Sequence, residues 1–446
     1  GDGRSCANLG TQYANGNGVK QDYQKTIELF QKGCDLGDGQ ACVKLGLLYR
    51  VGTGVKKDYQ KAKKLYQNGC DLDEGMGCFM LGTQYANGNG VKQDYQKANE
   101  LYRKGCDLDN GSSCGILGYQ YENGKGVKQD VQKANEFYRK GCDLGNGGSC
   151  GTLGLQYENG NGVKQDVQKA NEFYRKGCDL GNGGSCGNLG FKYAYDHGVN
   201  QDYQKANELL QKGCDLDDGR SCGALGLQYE NGNGVKQDVQ KANEFYRKGC
   251  DLGNGGSCMS LGLQYESGKG VKQDYQKADE FLRKGCDLGQ RESCGTLGFL
   301  YESGKVVRRD YQKANEFLRK GCNLGDSLSC LSLSSQYENG KGVKKDYQKA
   351  NELLQKVCDF GDGFSCGLLG LKYESGKGAR LDYQKANELY RKGCDLGDRD
   401  SCRILGYKYE NGKGVRQDYQ KAKLYYGKAC DLGSQMGCDD YKRLNH

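Results

Sequence analysis

The feature that most constrains this chain is a pair of cysteines that returns every 36 residues. The pairs are Cys34 and Cys42, Cys70 and Cys78, Cys106 and Cys114, Cys142 and Cys150, Cys178 and Cys186, Cys214 and Cys222, Cys250 and Cys258, Cys286 and Cys294, Cys322 and Cys330, Cys358 and Cys366, Cys394 and Cys402, and Cys430 and Cys438. Seven residues separate the members of every pair, and twelve pairs account for 24 of the 25 cysteines. Cys6 is left over, and its expected partner falls just before Gly1. Self-similarity at a period of roughly 20–50 residues marks a repeat architecture, in which each unit buries its apolar face only by stacking on the next.

Structural zinc sites favour about two to four residues between neighbouring cysteines, and this chain has only His197 and His446 to add nitrogen ligands. The spacing therefore reads as a disulfide framework, with no metal and no cofactor implied. Such a framework persists outside the reducing cytosol, which places the chain in a secreted or periplasmic setting.

Within one period, Asp94 is suited to cap a helix whose Tyr95, Ala98, Leu101, Tyr102 and Cys106 recur at three-and-four spacing. The turn-rich Asp107 to Gly111 follows, with Asn110 as the next cap. Cys114, Leu117, Gly118 and Tyr121 then form the apolar face of a second helix, which stops at Asn123 and Gly124. Gly118 is costly in mid-helix and predicts a close approach of two backbones. A hydrophobic content of 36% and a mean hydropathy of −0.86 would by themselves suggest disorder, but the periodicity overrides them. The expected fold is all-α: a right-handed superhelical solenoid of about twelve 36-residue αα-hairpin repeats. It reads as one solenoid over 1–446, with a partial first repeat at 1–21 and twelve units at 22–446, uninterrupted by proline or by any insertion.

The string Leu81, Gly82, Tyr85, Gly88, Gly90, Val91, Asp94, Lys97, Ala98 and Lys104 resembles the Sel-one-like repeat, a relative of the tetratricopeptide repeat. The cysteine pair around the inter-helix loop resembles the Helicobacter cysteine-rich protein family, an exported branch of it. The resemblance implies an αα-hairpin solenoid, export and protein interaction. It also brings the weak penicillin-binding or β-lactamase activity described for some members.

The formal charge of +8 is spread over repeats that nearly balance their own charges, so no basic stripe for nucleic acid emerges. No run of apolar residues is long enough for a membrane span. Gly-x-Ser-x-Gly occurs five times, as at Gly147 to Gly151 and Gly183 to Gly187. A hydrolase elbow needs a preceding strand and a histidine base, whereas these serines stand at predicted helix starts. Ser-x-x-Lys, Ser-Asp-Asn and Lys-Thr-Gly are all absent. The chain reads as a non-enzyme.

Positions that vary between repeats are the candidates for specificity. Six residues after the second cysteine stand Gln84, Gln120, Gln156, Lys192, Gln228, Gln264, Leu300 and Gln336. By analogy with tetratricopeptide solenoids, this stripe is expected to face an open concave groove and bind peptide backbone or sugar hydroxyls, or else to be plain soluble surface. Two places break the pattern. One is Tyr195, Asp196 and His197. The other runs from Val306, Arg308 and Arg309 through Leu328, Leu331, Ser334 and Val357 to Phe360 and Phe364, either a docking patch or drift among redundant repeats. The expected role is a scaffold for a protein or peptide partner. A rigid spacer or end-to-end filament is the second reading, and a weak penicillin-binding protein the third.

Overall fold

Helix length in this chain is set by its punctuation. The computed structural model describes residues 2–195, 198–305 and 308–444, which form 25 helices from α1 (Gly3–Asn15) to α25 (Gln435–Arg443) and no strand. The Asp94 carboxylate accepts the Lys97 backbone N–H at 3.0 Å and starts α6 (Tyr95–Asp107). Asn110 starts α7 (Gly111–Asn123) by accepting from Ser113 at 2.8 Å. Gly124 ends α7 at φ 65°, in the left-handed region where a missing Cβ removes the steric penalty. Repeated down the chain, the same signals give α1 to α24 a common length of 13 residues.

The chain divides into two compact units, Gly1–Gln237 and Asp238–His446. In the first, α7 packs more extensively against α8 (Val131–Asp143) than against α6, so α7 and α8 form the hairpin and α6 belongs to the preceding repeat. The odd-numbered helices also pack along a row, α5 (Gly75–Asn87) on α7 and α7 on α9 (Gly147–Asn159). The second unit repeats the plan: α17 (Arg291–Ser303) packs on α19 (Ser327–Asn339), and α21 (Gly363–Ser375) on α23 (Arg399–Asn411).

What presses on the mid-helix glycine differs from the expected backbone contact alone. A Cβ on Gly118 would come within 2.8 Å of two ring carbons of Tyr138, and within 3.0 Å of the Ala134 carbonyl. The glycine is thus a slot for an aromatic ring on the facing helix. Where Ser334 replaces it, the facing residue is the smaller Leu354, and the Ser334 hydroxyl donates to the Ala350 carbonyl at 2.9 Å.

All twelve cysteine pairs are bridged, with Cα–Cα distances of 4.5–4.8 Å. Because the close hairpin is α7 with α8, the bridge from Cys106 to Cys114 joins neighbouring hairpins instead of closing one. Two further links recur at many of these junctions. Asn99 donates to the Lys125 carbonyl in the loop of the next repeat at 2.8 Å, as Asn351 does to the Lys377 carbonyl at 2.9 Å. Lys176 pairs with Asp143 and Lys392 with Asp359, both at 2.7 Å.

Candidate functional site

The stripe six residues after the second cysteine does not line an open groove. Gln84, Gln120, Gln156, Gln228, Gln264 and Gln336 are only 1–5% exposed, and Leu300 and Lys192 are buried as well. The reason is the stacking of the odd-numbered helices, which places each of these side chains against its neighbour. Gln156 donates to the carboxylate of Glu122 at 2.7 Å, and the Tyr138 hydroxyl donates to the other oxygen at 2.6 Å. Lys192 makes the equivalent contact as an ion pair with Glu158, and Lys408 does so with Glu374 at 2.7 Å. Gln84, whose preceding repeat offers Arg50 in place of the acid, turns instead to the Tyr59 carbonyl at 3.2 Å. These residues staple one repeat to the next. Burial beside an acceptor carboxylate raises the Tyr138, Tyr174 and Tyr390 phenols well above the ordinary value of 10.0.

The second cluster is different. Leu328 is 64% exposed, Phe360 48% and Phe364 53%, while Leu331 is half-buried against the core. Leu328 sits in the first turn of α19 and Phe364 in that of α21, where other repeats carry polar or small residues except for Met76 and Met436. Leu328 and Phe360 line a cleft of about 550 Å³ with Arg291 and Glu292 on its rim. The rim pair is self-neutralised, since the Arg291 Nε donates to Glu292 at 2.8 Å. The patch is therefore apolar at Leu328, Phe360 and Phe364 and open to solvent, with Asp326 also lining the cleft and Lys356 over the Phe360 ring.

Tyr195 is exposed at the end of α11 (Gly183–Tyr195) and stacks on Phe191, whereas Asp196, His197 and Val306 lie outside the described residues. The serines of the Gly-x-Ser-x-Gly strings stand in first helical turns: Ser149 is buried, and its hydroxyl donates to the Asn146 side chain at 2.8 Å. Among the described residues, no three metal-ligating side chains cluster and no helix is long and apolar enough to cross a membrane.

A further arrangement escapes the sequence reading. The tyrosine seven residues after the second cysteine is flanked by cations from two helices. Arg103 donates to the Tyr121 hydroxyl at 2.6 Å and Arg139 to Tyr157 at 2.6 Å, while Lys133 and Lys169 lie over the two rings. Where glutamine replaces the arginine, it folds back on its own helix, Gln67 onto Asp71 at 2.9 Å and Gln355 onto Asp359 at 3.0 Å. Clefts of about 860 and 870 Å³ open at Tyr85 and Tyr373, the tyrosines those arginines would have met. At Tyr85, burial works against ionisation, yet the ammonium groups of Lys97 and Lys63 hold the phenol below its ordinary value. The alternation of Arg and Gln at this position is the sequence signal.

The family model for the Sel1 repeat matches twelve successive segments: residues 3–38, 39–74, 75–110, 112–146, 153–182, 185–218, 220–254, 256–290, 293–326, 327–362, 364–398 and 399–434. Its frame agrees with the packing within each unit, where the segments pair an odd-numbered helix with the even-numbered helix after it. A protective antigen of uropathogenic Escherichia coli with an SLR fold is similar at 27% identity and a TM-score of 0.56, over 94% of this chain and 90% of that one. A Sel1 repeat protein from Oxalobacter formigenes is similar at 28% identity and a TM-score of 0.51, over 55% of this chain and 99% of its own. Cysteine-rich protein B of Helicobacter pylori is 35% identical, with a TM-score of 0.26, over 31% of this chain and 99% of its own. No curated protein matches the chain.

Proposed function

The chain belongs to the Sel1 repeat family, and on that premise we propose that it is a non-catalytic, exported scaffold that engages a protein or peptide partner through the apolar patch around Leu328, Phe360 and Phe364. Sel1 repeat proteins generally mediate protein–protein interaction and are generally non-catalytic, which supports the coarse role. Twelve intrachain disulfides favour an oxidising, extracytoplasmic compartment. That the twelve repeats act as one solenoid belongs to the same reading.

The exposure of three large apolar side chains in consecutive repeats carries the proposal. At the helix-start position of Leu328 and Phe364 other repeats hold Gln40, Arg220, Glu292 and Asp400, so the fold does not require an apolar group there, whereas Phe360 stands where the other repeats carry leucine. Covering one exposed leucine or phenylalanine contributes roughly 1.5–3 kcal/mol, enough for each to anchor an interface. The test places a photo-crosslinker at position 364 and exposes the chain to an extracytoplasmic extract. One dominant cross-linked species is expected, lost on Leu328→Ser and absent when the crosslinker stands at the equivalent position 400. Leu328→Ser with Phe364→Ser should leave the melting temperature almost unchanged. A fall in stability of several kcal/mol, or equal capture from position 400, would sink the reading.

A further inference from the structure

The sister repeats record what fills the cleft between two consecutive even-numbered helices: a guanidinium set against the tyrosine hydroxyl. Arg247 donates to Tyr265 at 2.8 Å, Arg319 to Tyr337 at 3.0 Å and Arg391 to Tyr409 at 3.3 Å. Arg283 shows the fuller form, donating both to the Asp279 carboxylate at 2.9 Å and to the Tyr301 hydroxyl at 3.0 Å.

At Tyr373 this cation is missing, and so is the second one. Gln355, on α20 (Tyr347–Asp359), replaces the arginine and is tied to Asp359. Lys385, whose counterparts lie over the tyrosine ring elsewhere, pairs instead with Glu388 at 3.6 Å. Tyr373 is half-buried, as Tyr337 is, while Tyr121, Tyr157, Tyr265, Tyr301 and Tyr409 are buried. The cleft keeps its acidic wall, because Glu352 lines it together with Tyr373 over a floor that includes the buried Leu369. Arg380 stands at the rim, with no hydrogen bond or ring contact to Tyr373. The Tyr85 cleft differs in that Lys63 already supplies a cation there.

We propose that the cleft between Gln355, Glu352 and Tyr373 is a binding site for a guanidinium group, that of an arginine side chain on the scaffold's peptide or protein partner. The inference rests on the scaffold reading for its biological sense, but its chemistry is supplied by the chain itself. Glu352 and the Tyr373 phenol oxygen offer two acceptors to a planar donor, the ring face attracts the cation, and the sister repeats display the guanidinium-to-phenol half of that contact. An ammonium cannot reproduce the forked geometry, and a neutral ureido group keeps the shape without the charge.

The test titrates the full, disulfide-bonded chain with Nα-acetylarginine amide, Nα-acetyllysine amide and Nα-acetylcitrulline amide. The ring signals of isotope-labelled tyrosine are followed, with Tyr373 assigned by Tyr373→Phe. Saturable movement of the Tyr373 signal is expected with the arginine amide, with the citrulline amide weaker by about tenfold or more, as the loss of a charge-assisted hydrogen bond requires. Gln355→Arg restores the residue the sister repeats carry, so it should fold normally, plug the cleft and abolish the response. No saturable movement, equal affinity for the citrulline amide, or a response that survives Gln355→Arg would each overturn the proposal. Failure here is distinguishable from failure of the scaffold reading, which is measured at positions 328 and 364.

Discussion

Lys408 and Gln156 stand at the same place in their repeats and show how one position works with either a charge or an amide. Each reaches the glutamate of the preceding repeat at 2.7 Å, and Lys408 does so while only 2% exposed. Burial of Glu374 works against its charge, but the hydrogen bonds from Lys408 and Tyr390 outweigh it and hold the carboxyl below 4.5. A carboxylate depressed in the folded state contributes stability that is present above its unfolded value and lost as pH falls through the folded one. The chain is therefore expected to lose stability below about pH 4.5 by this route. Lys408→Ala should cost about 1–3 kcal/mol at neutral pH, because it strips a partly buried carboxylate of its donor, and should flatten the acid dependence. Lys408→Gln should cost far less, since Gln156 shows the amide serving. Urea denaturation of the three proteins at pH 7 and pH 4 separates them, and equal losses for the two variants would refute the stapling role.

At the scale of the element, the repeat is a hairpin with its crosslink on the outside. The Cys106–Cys114 bridge ties α6 to α7, while the closer packing is between α7 and α8, so each disulfide acts at the junction between hairpins. A crosslink over so short a loop contributes about 2.5 kcal/mol in the chain-entropy picture, and the chain carries twelve of them, the last tying α24 (Tyr419–Asp431) to α25. Reduction is therefore expected to loosen the coupling between repeats before it melts the hairpins. Calorimetry should show the transition of the reduced chain shifted down and broadened, with helicity at 25 °C largely kept. A reduced chain that melts as sharply as the oxidised one would contradict this. The Lys–Asp pairs along the same junctions are exposed, and each adds well under 1 kcal/mol, so salt should change the melting temperature little.

For the molecule as a whole, the serines that suggest hydrolase chemistry are buried helix-start residues, and the hydroxyls of Ser149, Ser185, Ser221 and Ser365 are bonded to their cap side chains. Negligible turnover of nitrocefin is expected. Activity abolished by Ser149→Ala or Ser185→Ala with the helical signal intact would reverse that conclusion.

The sequence alone determined what depends on near neighbours along the chain. The caps at Asp94 and Asn110, the stop at Gly124 and the pairing of Cys106 with Cys114 are all local, each closing within a few residues. The exposure expected of Leu328 and Phe364 was legible for a similar reason, since equivalent positions in other repeats tolerate charge. Three things were decided only by the tertiary structure. The 3.6-residue period marks one face of a helix but not which neighbour covers it, so Gln84 and Gln156 read as a groove lining and proved to be buried staples. The ring against Gly118 comes from the facing helix, at a distance the spacing of α7 does not encode. The cleft at Tyr373 is lined by Gln355, which stands where sister repeats carry an arginine and turns to Asp359 instead, and a cavity is a property of what surrounds it.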